Sequence, residues 1–135
     1  ADLIAAGLSP LRPAAAAVAA GRLFLKEVDR LARARESFAF ETTMSGLTYA
    51  ARIRRWRAAE YRIEMVFLQL SSADLACRRV ALRSRSGGHD VPEADVRRRF
   101  DRGRRNFDGV YRPLADAWAR WDNSGPSPVL LETGP

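Results

Sequence analysis

Cysteine, lysine and histidine occur once each in this chain, as Cys77, Lys26 and His89. One cysteine excludes an internal disulfide and fits a reducing, cytoplasmic compartment. One histidine leaves no two-histidine metal site. Long apolar runs are missing too. The longest candidate, Ala14 to Ala20, is nearly all alanine and far short of the ~20 residues that span a bilayer. No stretch combines the charged start, apolar middle and cleavage site of a secretory signal. Nor is there an internal repeat, or a low-complexity segment beyond the alanine run. Membrane partners are therefore not expected.

What remains is 135 residues, 47% hydrophobic and 29% charged. That is one domain with material for a core. The net charge of +7 comes almost wholly from arginine, because Lys26 is the lone lysine among 23 basic side chains. Arginine with abundant alanine is the mark of a GC-rich coding bias. Net charge is thus poor support for a nucleic-acid partner, whereas phosphate-bearing ligands suit the bidentate guanidinium.

Periodicity gives the element order. Val18, Leu25, Val28 and Ala32 share one face of a helix over Ala14–Arg35. Ser37–Glu41 reads as a strand, and Leu47–Glu60 as a helix with Tyr49, Ile53 and Trp56 on one stripe. The stretch 61-YRIEMVFLQL-70 reads as a strand buried on both faces of a parallel sheet. Ser71 or Ser72 caps a helix over Ala73–Arg85, which Gly87 and Gly88 end. Pro92 opens another helix with Val96, Phe100, Phe107 and Val110 inward. Leu114–Trp121 reads as a further helical piece, Asp122–Gly125 as a turn and 129-VLLE-132 as a last strand. Strands alternating with helices predict an α/β fold, a parallel sheet covered on both sides with its ligand at the carboxyl ends of the strands.

Several motifs carry two readings. Glu41 and Thr43, at the end of the first predicted strand, either hold a substrate hydroxyl or are punctuation, with Thr43 or Ser45 capping the next helix. In 87-GGHDVPE-93 the glycines either stop a helix or let backbone approach a ligand. The arginine-bearing helices on either side could close as a lid over phosphates, centred on about residues 84–105. Asp122 and Asn123 in 121-WDNSG-125 either touch a base or ribose, or make a turn.

In order along the chain, 2-DLIAAGLSP-10, 38-FAFETTMSG-46, 63-IEMVFLQL-70, 87-GGHDVPE-93, 97-RRRF-100 and 121-WDNSG-125 resemble the zeta-toxin-like branch of the P-loop kinases. The resemblance covers nearly the whole chain as one domain. It implies a P-loop-kinase-like fold and an ATP-dependent phosphotransferase acting on a hydroxyl of a small molecule, such as a nucleotide sugar. By position, Asp2 matches the residue that accepts the substrate's proton, and Glu41 and Thr43 match residues that hold the substrate. Arg83 lies where a lid arginine reaches phosphate, with Arg98 and Arg99 as further candidates. Asp122 and Asn123 match the loop near the nucleotide base. The implied cofactors are ATP and Mg2+, and some relatives of this type pair with a protein antitoxin. The chain contains no G-x-x-x-x-G-K-[ST], so the first strand, phosphate loop and first helix are expected to precede Ala1. The 135 residues alone are then expected to be inactive. The competing expectation is a non-catalytic, arginine-rich nucleic-acid-binding module.

Overall fold

The computed structural model describes residues 4, 7–9, 13–86, 88 and 91–135. Asp2 and His89 lie outside them. The chain forms two compact units, Ala1–Glu41 and Thr42–Pro135.

The first unit is built on helix α1, Pro13–Arg33. It ends where Arg35 takes a left-handed φ of 58° and Glu36 N donates to Leu31 O at 3.1 Å. Arg30 pairs with both Glu27 and Glu36. Ser37–Glu41 is not a strand. Its alternation is real, since Phe38 and Phe40 stack at 6.4 Å and Phe40 meets Phe24 of α1 edge-on at 5.9 Å. The rings serve packing, and the segment joins no sheet.

The second unit contains α2 (Thr48–Ala58), β1 (Glu64–Gln69), α3 (Ala73–Arg85), α4 (Glu93–Asn106), a π turn (Phe107–Tyr111), a 3-10 turn (Arg112–Leu114), β2 (Ala117–Asp122) and β3 (Val129–Gly134). The sheet order is β1-β2-β3, with β1 and β2 parallel and β2 and β3 antiparallel. The structure departs from the sequence expectation in two respects. Leu114–Trp121 is mostly strand, and the sheet is mixed. The link from Asp122 to Val129 is too short for the dozen or more residues of a parallel crossover, so β3 must return antiparallel.

Register explains the core. Met65, Phe67 and Gln69 pair with Trp118, Arg120 and Asp122, so all six share one face. The π turn covers that face. Phe107 and Tyr111 are its most buried side chains, and Phe107 stacks on Phe67 at 4.4 Å and meets Trp118 edge-on. Burying a side chain like Phe107 contributes about 1.5–3 kcal/mol. Arg120, 9% exposed, lies over Phe107 and is held by Asp108 and Glu132. Its Nε is 2.8 Å from a Glu132 oxygen, close enough for an ion pair though not aligned for a hydrogen bond. A buried charge needs such partners.

At the amino end of the parallel pair, Asp116 accepts from Ile63 N at 2.7 Å and pairs with Arg57 of α2. This fixes where β1 and β2 start. The other face of β1 is not covered as expected: Val66 is 63% and Leu68 54% exposed. No described strand pairs with the outer edge of β1. No described helix is long and apolar enough to cross a membrane.

Candidate functional site

A cleft of about 190 Å³ opens at the carboxyl end of β1. Four pieces of chain shape it. β1 contributes Phe67 to Gln69 and runs on into Leu70; α3 contributes Ala76. From α4 come Val96, Arg99, Phe100, Gly103 and Arg104. Thr43 sits on the rim, carried by the segment 42–46.

That segment is a coil strapped to α4 and the π turn. Met44 O accepts from Asn106 Nδ2 at 2.8 Å, and Gly46 O accepts from Tyr111 Oη at 2.6 Å. Thr43 O lies so close to Gly103 that a Cβ there would meet it at 2.7 Å. Gly103, inside a charged helix, is therefore a docking notch for the strap. Within the strap, Thr43 Oγ1 lies 2.9 Å from Ser45 Oγ and accepts from Ser45 N at 3.4 Å; Thr42 Oγ1 accepts from Met44 N. Met44 has a left-handed φ of 52°. Neither Thr43 nor Ser45 caps α2. Its N-cap position is Leu47, with no side-chain cap. Thr43 is thus held by a local hydroxyl turn at the cleft rim. Glu41 is exposed and closes the first unit.

The arginines divide by partner. Arg97 bridges Asp74 of α3 and Glu93, hydrogen bonds that hold its guanidinium charged far into alkaline pH. Arg98 is spent on Asp95 at 2.6 Å. Arg99 and Arg104, both at the cleft, have no ion-pair partner among the described residues. Arg83 is exposed near the end of α3 and does not line the cleft. Its carbonyl accepts from Ser86 N and Gly88 N, and a Cβ at Gly88 would strike that carbonyl at 2.9 Å. Gly88 therefore acts as a helix stop.

The loop after β2 is a turn. Asp122 accepts from the hydroxyl and the amide of Ser124, which hold its carboxyl below the usual range. Ser71 N donates to Ser124 Oγ, and Arg79 donates to the carbonyls of Ser124 and Gly125. Asn123 N extends the β1–β2 ladder to Gln69 O at 2.8 Å. The Asp122 carboxylate is thus committed within its own loop.

Of the residues singled out in the sequence, Thr43 and Arg99 come together at the cleft. Arg83, Arg98, Asp122 and Asn123 do not line it. Sequence reasoning missed Gln69, Arg104 and Gly103. A glycine in mid-helix was the available signal for Gly103. Gln69 is the odd one chemically: its Oε1 is buried with no hydrogen-bond partner.

The described residues do not fit MgATP. The β1–α3 turn is Leu70-Ser71-Ser72, glycine-free, with Ser72 capping α3 through Leu75 N. No lysine stands there, and no described group of three His, Cys, Asp or Glu side chains could hold a metal ion. Comparison with protein-family models, curated proteins and solved structures finds no match to this chain.

Proposed function

We propose that the cleft binds a phosphate-bearing small molecule and forms the acceptor side of a phosphotransferase in the complete protein. Two guanidinium groups without carboxylate partners among the described residues, on Arg99 and Arg104, flank it, and this observation carries the reading. Unpaired arginine beside an apolar floor favours a ligand that is anionic at one end and apolar at the other. The place in the fold agrees with it, because ligands of α/β sheets gather at the carboxyl ends of parallel strands.

The resemblance to zeta-toxin-like P-loop kinases supplies the reaction: transfer of the γ-phosphate of ATP to a substrate hydroxyl. Thr43 at the rim would orient that hydroxyl and Arg99 would steady developing phosphate charge. The resemblance gives the proton-accepting role to Asp2, which lies outside the described residues. Arg98 is less suited to a lid role because Asp95 holds its guanidinium, and Arg83 does not line the cleft. ATP and Mg2+ would need a phosphate loop that residues 1–135 do not contain.

Calorimetric titration with phenyl phosphate tests the reading. The chain should bind it, and removing both guanidiniums in an Arg99→Ala/Arg104→Ala variant should weaken binding about tenfold or more, the worth of a charge-assisted contact. Equal binding by the variant refutes the cleft assignment. Micromolar affinity for MgATP would refute the claim that the nucleotide side lies elsewhere. Tight oligonucleotide binding with a steep salt slope would support the nucleic-acid alternative. The pairing of Arg30, Arg57, Arg62, Arg97, Arg98 and Arg120 with carboxylates argues against it.

A further inference from the structure

We infer that Gln69 is the specificity-determining acceptor of the cleft, selecting ligands whose ring presents an N–H or O–H donor; the inference rests on the phosphate-binding reading above.

A buried carbonyl oxygen without a donor is costly, and folded proteins leave few of them. Gln69 Oε1 is one, and Gln69 lines the cleft. Its backbone is pinned at the end of β1, where its carbonyl receives Asn123 N at 2.8 Å. The nearest cation on the same sheet face, by register, is Arg120, one step back along β2. That guanidinium is engaged by Asp108 and Glu132. Phe67, Val96 and Phe100 line the cleft with apolar surface, and its polar liners, Thr43, Arg99 and Arg104, make no hydrogen bond to Gln69 Oε1. No described group supplies the donor, which leaves that oxygen to a ligand in the cleft.

Size narrows the ligand. At about 190 Å³ the cleft is below the roughly 300–1,000 Å³ of pockets that enclose drug-sized molecules. It accommodates one ring. With Arg99 and Arg104 at its mouth, the ligand class is a small ring carrying a phosphate outside and a hydrogen-bond donor inside. A site built to pair with a donor rejects the analogue lacking it more strongly than an apolar pocket rejects a missing methylene.

Three probes separate the claims: phenyl phosphate, 4-aminophenyl phosphate and 4-methylaniline, titrated into the 135-residue chain. Expected is a preference of about tenfold for 4-aminophenyl phosphate over phenyl phosphate. Gln69→Met, similar in volume and apolar, should erase that preference while leaving phenyl phosphate affinity unchanged; Gln69→Leu replaces it should the methionine variant not fold. Arg99→Ala should weaken both phosphates and keep their ratio. A wild-type ratio near one overturns the inference. So does a ratio that survives Gln69→Met, or an equal loss of both probes, which marks Gln69 as structural only. If 4-methylaniline binds as well as 4-aminophenyl phosphate and loses its affinity in Gln69→Met, the donor claim stands and the phosphate reading falls. If no probe binds, both fall.

Discussion

Replacing Gly103 by alanine puts the strap to a direct test. A helix-interior glycine changed to alanine ordinarily gains about 1 kcal/mol. Here the new Cβ would stand 2.7 Å from Thr43 O, where ordinary contact begins at 3.4 Å. The obstacle is backbone, so no side chain can swing aside. The strap would have to lift from α4, straining the bonds from Asn106 to Met44 and from Tyr111 to Gly46. Overpacking costs roughly 1–3 kcal/mol, and each weakened hydrogen bond up to about 1 kcal/mol more. Together these exceed the helix gain, leaving a net loss of about 1–2 kcal/mol. Urea unfolding reads this as a midpoint lowered by roughly 0.5–1 M, given slopes of about 1–3 kcal/mol per molar. Gly109→Ala is the matched control, since a Cβ there meets nothing within 4 Å. It should leave the midpoint level or raise it. If Gly103→Ala is as stable as the Gly109→Ala control, the strap is not docked as described.

Two pH effects follow from named contacts. Burial lifts the hydroxyls of Tyr49 and Tyr111 above their ordinary value. The folded chain holds those protons more tightly than the unfolded chain, so their contribution is full below about pH 10 and is lost as pH rises through the higher folded values. Urea midpoints across alkaline pH should fall more gently for Tyr111→Phe, and an unchanged slope would contradict the burial of that hydroxyl. Asp122 runs the opposite way, because the Ser124 hydroxyl and amide depress its carboxyl. Its contribution is present above the unfolded value near 4 and is lost as pH falls through the depressed folded value. Asp122→Asn should flatten the acid limb of the stability curve, and an acid limb identical to wild type would refute that assignment.

Local signals carried the helices well. Ser72 caps α3 as its position ahead of the apolar pattern suggested, and α4 follows directly on Pro92. The strand at 64–69 was equally plain. Failure came where one signal stood for another. Leu114–Trp121, with its alanines and spaced apolar residues, reads as a helical piece. In the structure Trp118 and Arg120 share the inner face, and a buried arginine breaks the apolar alternation that marks a strand. Its acidic partners, Asp108 and Glu132, are distant in sequence and invisible to periodicity. Phe38 and Phe40 failed in the reverse sense, since alternation also describes an extended segment laying rings on a helix. The cleft was legible only in part. Thr43 and Arg99 were recognisable as chemistry-bearing types, but which arginines stay unpaired depends on the packing of α3 against α4. The Asp122 loop closed on itself through Ser124, a bond that residue types alone leave open.

The outer edge of β1, which no described strand pairs, has a consequence for handling the protein. Met65 to Leu70 is six residues without charge, proline or glycine, the composition that stacks into cross-β fibrils when an edge is free. Arg62 and Glu64, ion-paired at 2.8 Å just before it, are the charges nearest to that run on its amino side and act as gatekeepers. Neutralising them would remove what keeps one copy of this strand from templating the next.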